Sequence, residues 1–296
     1  MAFYCYQPHN FRSKTLKLIE LVNSVATQYM AEGYTLTVRQ LYYQLVAGGH
    51  IPNNQKQYAR VKDAVCDGRM AGLIDWDAIE DRTRFSRGNT HWDSPRQILA
   101  ASAEQYRTDR RRTQPNYIEL WIEKDALIGV LEPLAREMDV PCLSCRGYPS
   151  ISTLRDAAIR FIGEAHREGR YIIYAGDHDP SGLDIPRSIA DSMRIFGADV
   201  QVKRIALTRD QIDRYQPPEN PAKETDTRAA GYIKEHGAYS WELDALKPQV
   251  LAGLYRETVD ALTDSTRLAE AMAAEQTDSR KLHTLAAEWD EIAPIL

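Results

Sequence analysis

RYIIYAGDHD (170–179) runs from an apolar segment straight into an acidic turn, and PSGLDI (180–185) follows it. An apolar run of this length, rather than a strict alternation, is what a strand buried on both faces of a parallel sheet requires. Working outward, YIELWIEK (117–124) is another such strand and DALIGVLEPLAREMD (125–139) a helix. PCLSCRGY (141–148) is a strand, and residues 150–168 form a helix ending at Gly169. A helix over about 184–196 is stopped by Gly197, and DVQVKRIAL (199–207) is a fourth strand. The βαβαβαβ order predicts an α/β unit, a four-stranded parallel sheet with flanking helices, over residues 114–210. Cys142 and Cys145 lie three apart on a strand, so their thiols face opposite sides and read as structural.

Two strands of this sheet end in carboxylates: Glu123 closes the first, and Asp177 and Asp179 close the third. Parallel strands share a direction, so these groups meet at one edge, where open α/β sheets bind ligands. Asp177 and Asp179 are two apart, so both can point the same way from a strand end. Three converging carboxylates repel one another unless a cation neutralises them, and hard oxygen donors select Mg²⁺ or Mn²⁺. The competing reading of Asp-x-Asp-Pro-x-Gly is a plain turn, with His178 a turn residue. Glu242 and Asp244 in WELDAL read first as salt-bridge or capping groups and second as additions to the acidic edge.

Residues 1–113 read as helical. Leu16, Ile19, Val22, Val25, Ala26, Tyr29 and Met30 recur at helical spacing, and Gly33 stops that helix. Thr37 followed by Gln40 is a capping-box pattern opening a second helix, which Gly48-Gly49 ends. A third spans about 55–70. Short helices with basic residues predict a helix-turn-helix or winged-helix module, with a plain bundle as the alternative. On the second helix Val38, Leu41, Tyr42, Leu45 and Val46 make one apolar face, so Tyr42 packs inward, toward the first helix. Tyr43 leaves that face and sits one turn from Arg39.

Charge divides the chain. Residues 1–118 hold 16 Lys and Arg against 11 Asp and Glu, while the rest hold 21 against 31. The basic front predicts a polyanion partner, DNA, with Lys56 and Arg60 and with Arg82, Arg84 and Arg87 of an arginine-rich connector as candidate phosphate contacts, a solvated surface being the alternative. The connector spans 82–114 with eight arginines, and Arg110-Arg111-Arg112 before Pro115 marks a boundary. Residues 211–296 read as a helical extension. Four cysteines suit a reduced, cytoplasmic protein (nucleoid-associated if bacterial or archaeal). No transmembrane run, secretion signal or Gly-x-x-x-x-Gly-Lys-Ser/Thr loop is evident.

IEKDAL (122–127), RGYPSISTLR (146–155) and GDHDPSGLDI (176–185) together resemble the Toprim domain of the topoisomerase VI A subunit and the meiotic double-strand-break proteins. Arg39-Gln40-Leu41-Tyr42-Tyr43 resembles the family's tyrosine motif, carried on a winged-helix domain that precedes the Toprim domain. The resemblance covers about 35–210 and implies Tyr43 as nucleophile, Arg39 and Glu123 as catalytic groups, and Glu123, Asp177 and Asp179 as metal ligands. It further implies cleavage of double-stranded DNA through a covalent 5′-phosphotyrosyl intermediate, in a homodimer whose sites take tyrosine from one subunit and metal from the other. Strand passage in that family needs a separate ATPase subunit. A hydrolytic Toprim nuclease using water, and a non-enzymatic DNA-binding protein, remain the alternatives.

Overall fold

The computed structural model describes residues 3–80, 91–222 and 226–292. Arg82, Arg84 and Arg87 lie outside the described residues, as does the start of the basic connector.

The first body holds α1 (Ser13–Ala31), α2 (Val38–Ala47) and α3 (Gln55–Met70). The capping box forms as its residues dictate: Thr37 Oγ1 accepts the Gln40 N–H, and Gln40 Oε1 accepts the Thr37 N–H. Leu18, Val22, Leu41, Leu45, Val61, Val65 and Ile74 make the core of this body. Its β structure among the described residues is limited to single bridges, Leu36 with Ile79 and Cys5 with Ala71. The helices are therefore seen, while no wing hairpin appears among the described residues. Within the expected connector lies α4 (Pro95–Gln105), capped by Ser94 with Pro95 at its first position.

Next come β1 (Asn116–Ile122), α5 (Ile128–Met138), β2 (Cys142–Ser144), α6 (Ile151–Gly163), β3 (Gly169–Ala175), α7 (Pro180–Ile195) and β4 (Gln201–Ala206). The four strands form one parallel sheet in the order β2-β1-β3-β4, with helices on both faces. β2 is shorter than its sequence suggests, because Arg146 and Gly147 turn the chain at φ 55° and 85°. α7 starts four residues earlier than expected, because Asp179 caps it and Pro180 supplies a preset first turn. Cys142 packs on one face of the sheet and Cys145 on the other.

The chain closes with α8 (Arg209–Tyr215), β5 (Glu219–Pro221), α9 (Ala229–His236), β6 (Tyr239–Trp241), α10 (Pro248–Ala261), α11 (Ser265–Ala287) and α12 (Trp289–Ile292). This part belongs to the sheet's own core: Trp241, Leu243, Leu251, Tyr255 and Val259 bury against Ile118, Leu120, Ile173 and Ala175. Tyr34 touches both that core and the core of the first body. Among the described residues no helix is long and apolar enough to cross a membrane.

Candidate active site

Glu123 follows β1 directly, and Gly176-Asp177 follows β3. β1 and β3 are neighbours in register at Ile122 and Ala175, so both acids emerge from one edge. The Asp177 N–H donates to Glu123 Oε2 at 2.8 Å, and the Tyr174 hydroxyl donates to the same oxygen at 3.3 Å. Two glycines make this approach possible. A Cβ on Gly176 would lie 2.6 Å from Glu123 Oε2, and one on Gly182 would lie 2.4 Å from the Asp177 carbonyl oxygen.

Both acids are buried, at 8% and 6% exposure. Burial, with repulsion from Asp177 next, pushes the Glu123 carboxyl up to about 7. Burial raises Asp177 as well, against the pull of Lys124. Asp177 Oδ1 accepts the Leu243 N–H at 2.7 Å, and Oδ2 lies 2.9 Å from Lys124 Nζ. Asp179 caps α7, its Oδ1 accepting the Gly182 N–H at 2.6 Å and the Ser181 hydroxyl at 2.9 Å, and its charge still reaches Glu123. His178 is buried and bridged to Trp241 by backbone bonds, with Nδ1 3.0 Å from the Tyr232 hydroxyl. Burial, aided by the Arg204 charge, lowers it to about 4, so near neutrality it is an uncharged pillar of the turn.

The residues suit a divalent cation in kind. Glu123, Asp177, Asp179, Glu242 and Asp244 gather hard oxygen donors around fewer cations, Arg39, Lys124 and Arg204. Their present poses form no cage. Among the described residues no three His, Cys, Asp or Glu groups are set to hold one ion. Lys124 Nζ instead sits among Asp177, Glu242 and Asp244.

Arg39 brings α2 to this edge. Its Nε donates to Asp244 Oδ2 at 2.7 Å and its Nη2 to Glu242 Oε2 at 3.1 Å, while its guanidinium lies 5.6 Å from the Tyr43 ring centre. Tyr42 is buried, with its hydroxyl donating to Asn53 Oδ1 at 2.9 Å and its ring against Tyr58 of α3. It packs inward as expected, into the core that α1, α2 and α3 share, with its ring and hydroxyl contacts on α3 and the turn before it. Tyr43 is half-buried. Burial pushes its phenol up to about 12, Arg39 opposing and Asp244 and Asp177 adding to the rise.

Tyr43 lines a cavity of about 620 Å³ with Tyr58, Asn53, Asn54, Lys62 and Asn220. Arg39 lines this cavity and two more: one of about 480 Å³ with Lys62, Arg69 and Trp76, and one of about 260 Å³ with Glu123, Lys124 and Arg146. Three hollows thus share one arginine between the tyrosine and the carboxylates. Lys56 and Arg60 are exposed and line none of the three, and Arg60 donates to the Lys14 carbonyl at 3.0 Å. Lys62 lines the first two of these hollows, and Arg69 the second. Their signal was present in the sequence, since Tyr58, Lys62, Cys66 and Arg69 follow helical spacing along one face. No family model matches the chain, and no curated protein matches it.

Proposed function

We propose that the chain is a metal-dependent DNA-breaking enzyme of the topoisomerase VI A type, with a Toprim-like sheet and Tyr43 as nucleophile. The observation that carries this reading is the Arg39 bridge, which ties the tyrosine helix to the edge bearing Glu123 and Asp177. Glu123, Asp177 and Asp179 would hold Mg²⁺ or Mn²⁺, and the ion would neutralise charge on a phosphodiester. Tyr43 attacks phosphorus as its proton passes to a base, the Tyr–O–P bond forms, and the bond to the 3′ oxygen breaks. That oxygen takes up a proton, leaving a 3′-hydroxyl and a 5′-phosphotyrosyl end, which stores the bond energy for religation. Arg39 favours the phenolate, whose formation near pH 7 costs about 4 kcal/mol even for a free tyrosine. Lys62, Arg69 and Arg146 offer cations along the hollows for the duplex backbone. Double-stranded DNA is the proposed substrate, and strand passage would call for an ATPase partner.

One observation favours a second reading. The Tyr43 phenol is held up to about 12, chiefly by burial, which disfavours ionisation. In a hydrolytic nuclease, water attacks and Tyr43 only orients the strand. Denaturing electrophoresis of the full chain with labelled duplex and Mg²⁺ or Mn²⁺ separates the two. A shifted, protease-sensitive protein–DNA band that Tyr43→Phe abolishes supports the tyrosine reading. Cleavage without that band supports hydrolysis, and neither product leaves a DNA-binding protein.

A further inference from the structure

Helix α2 turns a second flank to a cleft that the tyrosine chemistry does not use. Arg39 and Tyr43 face the hollows described above, whereas Gln44, Ala47 and Gly48 line a separate space of about 580 Å³. Its far wall comes from the end of α8 and the start of α10, so it lies between the helical body and the sheet body. Ligand sites favour such junctions, in clefts of about 300–1,000 Å³ with apolar and aromatic walls and a few convergent polar groups. Tyr29, Tyr215 and Val250 supply those walls. The floor is fixed, because Gln44 spends both ends of its carboxamide: it accepts the Tyr29 hydroxyl at 2.8 Å and donates to the Leu246 carbonyl at 3.4 Å.

The charge in the cleft is of one sign. Residues 119–296 hold 31 Asp and Glu against 21 Lys and Arg. Yet among the described residues no Asp or Glu lines this space, and its charged side chains are Arg214 and Lys247. Neither has a carboxylate at ion-pair distance among the described residues. On the same helix as Arg214, Arg209 does pair, with Asp213 at 3.2 Å. The Arg214 guanidinium is instead held 5.3 Å from the Tyr215 ring centre. The His50 ring folds against Gly48, where an added Cβ would meet its Cδ2 at 2.8 Å, so a glycine keeps the imidazole at the cleft. α10 begins here without a side-chain cap, and its positive end adds to the same field. Cations of one sign around a walled cleft focus their field on an anion.

We propose that this cleft binds a phosphorylated ligand of nucleotide size. Arg214 and Lys247 hold the phosphate, His50 donates beside them, and the nucleoside lies against the tyrosine walls. Two sources share this chemistry, a free nucleotide and the backbone of a nucleic-acid strand. The inference goes beyond the cleavage proposed above and needs neither Tyr43 nor a metal ion.

The test uses the full chain without divalent metal, so the carboxylate edge takes no part. Titration calorimetry follows a deoxynucleoside 5′-monophosphate, and fluorescence anisotropy follows a labelled duplex at several salt concentrations. One nucleotide bound per chain, raising the unfolding temperature, and weakened at least about 10-fold by Arg214→Ala with Lys247→Ala, supports the free nucleotide. No nucleotide binding, with a duplex salt slope that this double variant flattens by about two units, supports the strand. Nucleotide binding at full strength in the double variant overturns the site, as does an unchanged duplex slope when no nucleotide binds. Arg187→Ala with Arg194→Ala removes the same charge from α7 and should leave both readings unchanged. An equal loss there would make net charge the cause and overturn the site as well. Gly48→Ala tests His50 without altering charge. Gly48 lies at φ −74°, open to alanine, so the change displaces the imidazole and should weaken binding several-fold. Unchanged affinity would overturn the part assigned to His50. A chain that binds here yet forms no covalent DNA adduct would sink the cleavage reading and leave this one standing.

Discussion

Strand β1 and the residue that follows it bury two carboxylates four residues apart, Glu119 and Glu123, in opposite surroundings. Glu119 receives Arg160 on both oxygens, at 2.8 and 2.9 Å, together with the Tyr117 hydroxyl and the Trp121 indole N–H, each at 2.9 Å. Among the described residues the Glu123 carboxylate receives only the Asp177 N–H and the Tyr174 hydroxyl, both on one oxygen, and faces the charges of Asp177 and Asp179. Helix α11 repeats the first pattern: Glu275 is caught by Arg110 at 2.6 Å and accepts the Thr108 N–H. A buried acid that serves the fold is given its donors in full. The edge at Glu123 keeps carboxylates crowded and undersupplied, which stabilises nothing by itself and is what a cation or phosphate chemistry would use.

The largest expected effect falls on chemistry. Glu123→Gln should cut DNA cleavage by at least about 100-fold while the chain stays folded, since a glutamine oxygen can still accept the Asp177 N–H. Glu119→Gln should leave cleavage per folded molecule unchanged. Comparable losses of cleavage from both variants, measured at matched folded fractions, would erase the distinction between the two acids.

Stability should respond in the reverse order. Arg160→Ala strands a carboxylate whose side chain is 1% exposed, but Arg160 itself is 41% exposed. The cost should be about 2–3 kcal/mol, below the ~3–5 of a fully buried pair. Urea unfolding reads it directly, and a loss under about 0.5 kcal/mol, the level of an ordinary surface change, would mean that Glu119 is not the fold's dependent.

pH separates the same two classes. Glu123 is raised from 4.5 to about 7 by burial and its neighbours. Between those values the folded chain holds a proton that the unfolded chain has lost, so stability falls as pH rises through this window. Glu275 is lowered from 4.5 to about 2, first by its bond from Arg110. Its stabilisation is present above 4.5 and is lost as pH falls toward 2. Unfolding temperatures should therefore rise on the acid limb, while above 4.5 the fall from Glu123 runs against the rise that His178, lowered to about 4, supplies up to its ordinary 6.5. Glu275→Gln should flatten the acid limb, and Glu123→Gln should make the slope between 4.5 and about 7 more positive than in the wild type; profiles untouched by these variants would contradict the assignment.

The sheet was legible because strands covered on both faces need mainly apolar runs, and YIELWI, interrupted only by Glu119, and YIIYA are such runs. The opening of α2 was legible because a capping box is local, closed between Thr37 and Gln40. Local marks also lay unused: Ser94-Pro95 announces α4 inside a stretch whose arginines suggested only a connector. Asp179 was assigned to the metal by its place in the motif, yet its side chain also satisfies the rule for a helix cap. The Arg39–Asp244 pair had no local signal at all. Its partners stand 205 residues apart, and only the docking of α2 against the turn after β6 joins them.

The smallest effect concerns DNA grip and compares two faces of α3. Lys62 and Arg69 line the hollows around Arg39 and Tyr43, whereas Lys56 and Arg60 line none of them. Each phosphate contact releases about 0.9 counterion, so each lost contact should lower the salt slope of binding by about one unit. Lys62→Ala and Arg69→Ala should each weaken duplex binding several-fold at low salt and flatten log Kd against log salt by that amount. Lys56→Ala with Arg60→Ala should leave the slope near wild type, because those cations face solvent and the Lys14 carbonyl. Fluorescence anisotropy at several salt concentrations, on an uncleavable Tyr43→Phe background, isolates binding from reaction. Equal flattening by both pairs would place the duplex across the whole helix rather than along the Arg39 side. Flattening by Lys56 and Arg60 alone would put it on the opposite face, away from Tyr43, and the hollows would need another ligand.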